Sequence, residues 1–162
     1  MAEDNKTEKN LQLQKKNQNK DYIATVGRRR EAVARVRLYK NIKEGLMFGG
    51  FPVKKGEILV NKMPIEKYFS GEVAKVLYIQ PFQITNTLGK FATTIVVSGG
   101  GKKGQLMASI HAISRALSLF DTDKLRKILK KKGLLTRDSR IRERRKVGMG
   151  GKARRKKQSP KR

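Results

Sequence analysis

The run Gly99-Gly100-Gly101-Lys102-Lys103-Gly104 satisfies the pattern G-x-G-x-x-G. In that pattern the glycines let backbone close on a phosphate, and amides at the start of the next helix hold it. The chemistry on offer is anion binding. An apolar, strand-like run precedes the loop, and a helical pattern follows from Gln105. Asp121 stands about twenty residues on, the distance of a ribose-binding acid in a dinucleotide fold. Yet Asp121 falls between two helical patterns, not at the end of a second strand. Two lysines fill adjacent variable positions, and too little chain follows to build the other half of a doubly wound sheet. A Walker loop fails as well, because Gln105 follows Gly104. The reading kept is a loop, Gly99, Gly100, Gly101 and Gly104, that offers amides plus Lys102 and Lys103 to a phosphate of a nucleic-acid backbone.

Other chemistry is scarce. The chain has no Cys and a single His, His111, so thiolate and zinc clusters are ruled out. No Ser, Cys or Asp near His111 forms a recognisable catalytic set, and no catalytic residue, metal ligand or cofactor is expected. His111 and Arg115 are expected to make at most RNA or packing contacts. Arginine is the abundant functional type. Gly27-Arg28-Arg29-Arg30 is followed by Arg35 and Arg37. Guanidinium forks match phosphate in a way an ammonium does not, which favours RNA contact over a merely solvated strand face.

The charge balance points the same way. Forty Lys and Arg against thirteen Asp and Glu leave the 162-residue chain at +27. Folding gains nothing from such self-repulsion, so a polyanionic partner is implied. About 37% of residues are hydrophobic, enough for one modest core. No apolar stretch approaches the roughly 20 residues of a membrane span. Met1-Ala2-Glu3-Asp4 leads into no apolar segment, unlike a secretory signal, and the expected location is the cytoplasm.

The elements that must position these groups alternate between two periods. Residues 1–20 are polar and are expected to form a disordered arm. Residues 21–135 are expected to form an α/β body. A strand is expected over 22–26, interrupted by Gly27-Arg28-Arg29-Arg30. Residues 32–39 alternate, with Ala34, Val36 and Leu38 facing the core and Arg35 and Arg37 opposite. The Gly- and Pro-rich stretch 41–56 reads as a loop or hairpin tip. Residues 57–60 read as a strand, and Pro64 opens a short helix carrying Ile65, Tyr68 and Phe69. A second helix starts near Glu72 and is expected to stop at Pro81, with 82–85 and 91–97 as strands, the latter central. Leu106, Ile110, Ile113 and Leu117 then recur at helical spacing. Asp121 or Thr122 caps a last helix bearing Leu125, Ile128 and Leu129, and Gly133 ends it.

Beyond Leu135 the core signal stops. Residues 136–162 are about half Lys and Arg and cannot fold alone. They are read as an extended tail that orders only against phosphate, through Arg137, Arg140, Arg142, Arg144, Arg145, Lys146, Lys152, Arg154 and Arg155.

Residues 22–37 (YIATVGRRREAVARVR), 59–71 (LVNKMPIEKYFSG), 97–105 (VSGGGKKGQ), 111–117 (HAISRAL) and 134–148 (LLTRDSRIRERRKVG), with the basic end Lys161-Arg162, resemble the small-subunit ribosomal protein nine family, in its bacterial branch. The resemblance implies a two-layer α/β sandwich of the type shared with the second domain of ribosomal protein five. It implies binding to small-subunit ribosomal RNA in the head of the subunit, beside other head proteins. It also implies a tail that reaches the anticodon stem-loop of peptidyl-site tRNA, with Lys161 and Arg162 nearest. The terminus departs from the family in reading Gln158-Ser159-Pro160 before that pair. No membrane and no small-molecule substrate are implied. Two alternatives stay open: a general nucleic-acid packaging protein, and a nucleotide-binding enzyme working through the Gly99 loop.

Overall fold

A computed structural model describes residues 22–40 and 47–142. The polar arm, residues 41–46 and the tail from residue 143 onward lie outside it.

The fold is mixed α/β, a five-stranded mixed sheet packed against helices. Strands β1 (Tyr22–Arg29) and β2 (Ala32–Tyr39) form an antiparallel hairpin. A small separate hairpin, β3 (Met47–Phe48) and β4 (Phe51–Pro52), occupies the Gly-rich stretch. Then come β5 (Ile58–Val60), β6 (Met63–Pro64), helix α1 (Ile65–Tyr68), helix α2 (Glu72–Ile84), β7 (Ala92–Ser98), helix α3 (Lys102–Phe120) and helix α4 (Leu125–Lys131). The sheet order is β1-β2-β7-β5-β6, with β5 and β7 the one parallel pair among the described strands. Strand β7 is central, as its apolar run predicts.

Alternation along β2 works as expected. Ala34, Val36 and Leu38 are buried while Arg35 and Arg37 are exposed. The buried set joins Ile95 and Val97 of β7 and Leu106, Ile110, Ile113 and Leu117 of α3 in the main core. Helix α3 lies on β1 and β2, and α2 and α4 pack on α3. Among the described residues the opposite face of the sheet carries a small cluster of Tyr39, Val53, Leu59 and Ala92, and most of the rest of that face is open.

The last helix is capped at Lys124, not at Asp121 or Thr122, and its Ile128 is exposed because the helix buries Leu129 instead. Two strand expectations also fail. Residues 82–85 are not a strand, because α2 runs through Pro81 to Ile84. Tyr78, Pro81 and Phe82 share helical spacing and are all buried in the core. The turn closes on side chain and backbone together, with the Thr85 hydroxyl donating to the Pro81 carbonyl at 2.8 Å and Thr87 N–H to the Phe82 carbonyl at 2.9 Å. Packing therefore outweighs a proline near the helix end. Nor is β1 interrupted at Gly27, since its pairing with β2 continues to Arg29.

Candidate nucleic-acid interface

The β1–β2 register places the arginines. Val26 pairs with Arg35, Ala24 with Arg37 and Arg28 with Val33. On the other side of β2, Arg35 faces Val96 and Arg37 faces Thr94. Side chains of one parity share a face. Arg28, Arg35 and Arg37 thus stand on the open face among Ala24, Val26 and Val96, and all six are exposed. Arg37 also lies 5.2 Å from the Tyr22 ring centroid. Arg30 sits exposed in the turn at φ 51°, beside Glu31, the one acid between residues 22 and 39.

The glycine loop lies directly behind that turn. Gly99 has φ +70°, and a Cβ there would meet the Glu31 carbonyl oxygen at 2.4 Å. Only glycine satisfies both demands. The contact brings the loop from Gly99 to Gly104 against the turn from Arg29 to Ala32. Helix α3 starts at Lys102, with Gly101 before it and no side chain capping its amides. Lys103 is exposed. The Lys102 ammonium rests 3.5 Å from the Tyr68 ring centroid and 3.4 Å from the Tyr68 carbonyl, a cation–π seat. The Asp121 carboxylate accepts from Lys124 N–H at the start of α4, a structural use of that acid.

Helix α3 supplies a second group of cations. The Thr25 hydroxyl donates to the Ala112 carbonyl at 2.7 Å, and the Arg115 guanidinium donates to the Val26 carbonyl. These bonds tie α3 to the edge strand β1. One turn before Arg115, half-buried His111 holds Nε2 3.3 Å from the Leu135 carbonyl. A carbonyl only accepts, so Nε2 carries the hydrogen in the neutral ring. Nδ1 is buried without a partner among the described residues.

The chain after α4 returns to β1. Arg29 donates to the Arg140 carbonyl at 2.7 Å and pairs with Asp138 at 2.9 Å. Arg140 grips the same carboxylate through two nitrogens, at 3.0 and 2.7 Å. The Arg140 hydrogen bonds, aided by Arg29, hold the Asp138 carboxyl well below the usual carboxylate range. Asp138 is a positioning residue that sequence reading missed. Its one signal was being an acid within a strongly basic segment. Arg137 and Arg142 are exposed. Arg144, Arg145, Lys146, Lys152, Arg154, Arg155, Lys161 and Arg162 lie outside the described residues. Among the described residues there is no cluster of His, Cys, Asp and Glu able to hold a metal, and no helix long and apolar enough to cross a membrane.

Residues 27–162 match the family described as Ribosomal protein S9/S16. This chain belongs to that family. The family's relatives include the small ribosomal subunit protein uS9 of Maridesulfovibrio salexigens, 44% identical over 132 residues, which are 82% of this chain and 91% of the relative. The uS9 protein of Solidesulfovibrio magneticus is 44% identical over 131 residues, covering 81% and 90%. That of Syntrophobacter fumaroxidans is 43% identical over 122, covering 75% and 83%. An S9/S16 chain is a ribosomal protein with a structural rather than a catalytic part to play. The resemblance carried by the sequence motifs and the family match agree.

The His111 environment has a measurable consequence for this S9/S16 chain. Burial lowers the imidazole pKa from its ordinary value; the bond to the Leu135 carbonyl opposes that, and Arg115 and Arg137 add to it. In the unfolded chain His titrates near about 6.5, so below that pH the unfolded state binds more protons. The stability is fully present above the unfolded value and is lost as pH falls through it, levelling off below the folded value. The urea midpoint is expected to drop between about pH 7.5 and about pH 5.5, and His111→Gln should remove most of that drop. An equal drop in both proteins would show that other groups govern this window.

Proposed function

We propose that this protein is a structural constituent of the small ribosomal subunit that binds its large RNA through the basic side of the β1–β2 hairpin. One observation carries the reading. Arginines from β1, α3 and the segment after α4 converge on one cleft, Arg35 and Arg37 of β2 share a sheet face with Arg28, and Asp138 is taken up by Arg29 and Arg140. The ligand that suits such a surface is a phosphate backbone, recognised by shape more than by sequence. Three relatives bear the name of a small-subunit protein, which supports the same partner.

Finer parts of the reading come from the motif resemblance. The body takes the fold of the second domain of ribosomal protein five, a proposal supported by the five-stranded sheet with helices against one face. It sits in the head of the cytoplasmic subunit beside neighbouring head proteins. The basic tail from residue 136 runs through the RNA, and Lys161 and Arg162 approach the anticodon stem-loop of peptidyl-site tRNA. Binding to small-subunit RNA should weaken steeply with salt. Six or more neutralised phosphates give a log–log slope of magnitude about 4 or greater. The native protein should also travel with small subunits in moderate salt. A flat salt response, or equal affinity for any duplex DNA, would favour a general packaging protein instead.

A further inference from the structure

The edge of β1 and the side of α3 enclose a cleft of about 210 Å³, lined by Val26, Arg28, His111, Arg115 and Arg137. Three of its five lining residues are arginines. It draws on a strand, a helix and the segment beyond α4. Three guanidinium groups gathered from such distant positions repel one another, and the Arg115 bond to the Val26 carbonyl gives folding a use for one of the three. Among the described residues, neither Arg28 nor Arg137 has a carboxylate within salt-bridge distance. Asp138 lines an adjoining cleft of about 80 Å³ that Arg28 and His111 also line, and it is held by Arg29 and Arg140. Arg115 uses one nitrogen on the Val26 carbonyl, and its guanidinium keeps further N–H donors. At roughly 30 Å³ per water, the space admits a phosphate group with part of its hydration.

We propose that this cleft seats one backbone phosphate of the bound RNA, clamped by Arg28, Arg115 and Arg137 against the edge of β1. The inference rests on the RNA-binding reading above and assigns it a specific site. His111 makes the seat sensitive to protons. The charged groups facing it are Arg115 from α3, Arg28 and Arg29 from β1, and Arg137 and Asp138 from the segment after α4. In the free protein burial, aided by Arg115 and Arg137, favours the neutral ring. A phosphate arriving among these arginines reverses the local field. The ring then takes up a proton at Nδ1, which has no partner among the described residues, and Nε2 keeps its hydrogen toward Leu135. Binding thus takes up a proton, and affinity rises as pH falls.

The test uses the full-length chain and a transcript of small-subunit ribosomal RNA, with affinity measured over salt and pH. Arg137 is exposed, so Arg137→Ala spares the core. That variant should bind roughly tenfold more weakly and reduce the magnitude of the salt slope by about one. Lys130→Ala on α4, with the same charge change, should do neither. Wild type should bind more tightly as pH falls from about 7.5 to about 6, at a rate no steeper than tenfold per pH unit for one proton. His111→Gln should flatten that profile. Because the chain has one histidine, its imidazole NMR signal is unambiguous, and its midpoint should move up on binding. A steep wild-type salt slope with Arg137→Ala indistinguishable from Lys130→Ala would overturn the phosphate seat and leave the RNA reading standing. A pH-independent wild-type affinity would overturn the role of His111. A flat wild-type salt slope would remove the RNA reading and this inference with it.

Discussion

Removing residues 143–162 is expected to weaken binding to small-subunit RNA a thousandfold or more at about 0.1 M salt, and to leave the melting temperature of the body unchanged. The removed stretch holds ten Lys and Arg and one acid. If about five of those cations meet phosphates at about 1 kcal/mol net each, the loss is about 5 kcal/mol, which exceeds three orders of magnitude. The log–log salt slope should shrink by about 4 units for those five phosphates. Stability should not follow, because contacts that fasten the end of the body fall earlier in the chain. Leu134 and Leu135 pack against the core, and Asp138 binds Arg29. All three survive a cut after Arg142. A cut after Gly133 removes them together and should lower the melting temperature. Thermal melts of the two truncations beside wild type, with affinities over a salt series, decide the point. A shortened chain that keeps full affinity would place the binding energy in the body alone.

What could be read from the sequence depended on how local the cause was. The alternation of β2 sorts its arginines from its core residues, because strand parity acts over two residues. The stripe Leu106, Ile110, Ile113 and Leu117 marks α3 for the same reason. Pro81 misled because a local breaker met a tertiary demand: Tyr78 and Phe82 must both reach the core, and the helix continues to let them. The Gly99 loop was legible as an anion-binding type, but its position behind the Arg30 turn was not. That position depends on Gly99 lying against the Glu31 carbonyl, and nothing in either segment alone encodes the meeting. The cleft at His111 was hardest to foresee. Its members sit at positions 26, 28, 111, 115 and 137, and their convergence is set by how α3 lies across β1.

That crossing turns on Gly27, and Gly27→Ala is expected to destabilise the body by about 3 kcal/mol, lowering the melting temperature by about 10 °C or more. A Cβ at this position would stand 2.0 Å from the Ala108 carbonyl oxygen, 2.7 Å from the Ala112 nitrogen and 3.0 Å from the Ala112 Cβ. The first two atoms are acceptor and donor of one helical turn, so the new methyl would press on the hydrogen bond itself. Side chains can swing aside; a helix backbone cannot. The backbone of Gly27 needs no left-handed conformation, and alanine there would otherwise gain about 0.4–1 kcal/mol from a less flexible unfolded chain. The close approach outweighs that gain. Relief must come from β1 and α3 moving apart, which stretches the bonds from Thr25 to Ala112 and from Arg115 to Val26. RNA affinity should therefore fall along with stability, since the same movement opens the cleft between Arg28 and Arg115. Adding Ala112→Gly removes only the contact at 3.0 Å and should rescue little. Full rescue by that second change would mean that the side chain, and not the helix backbone, sets the distance between strand and helix.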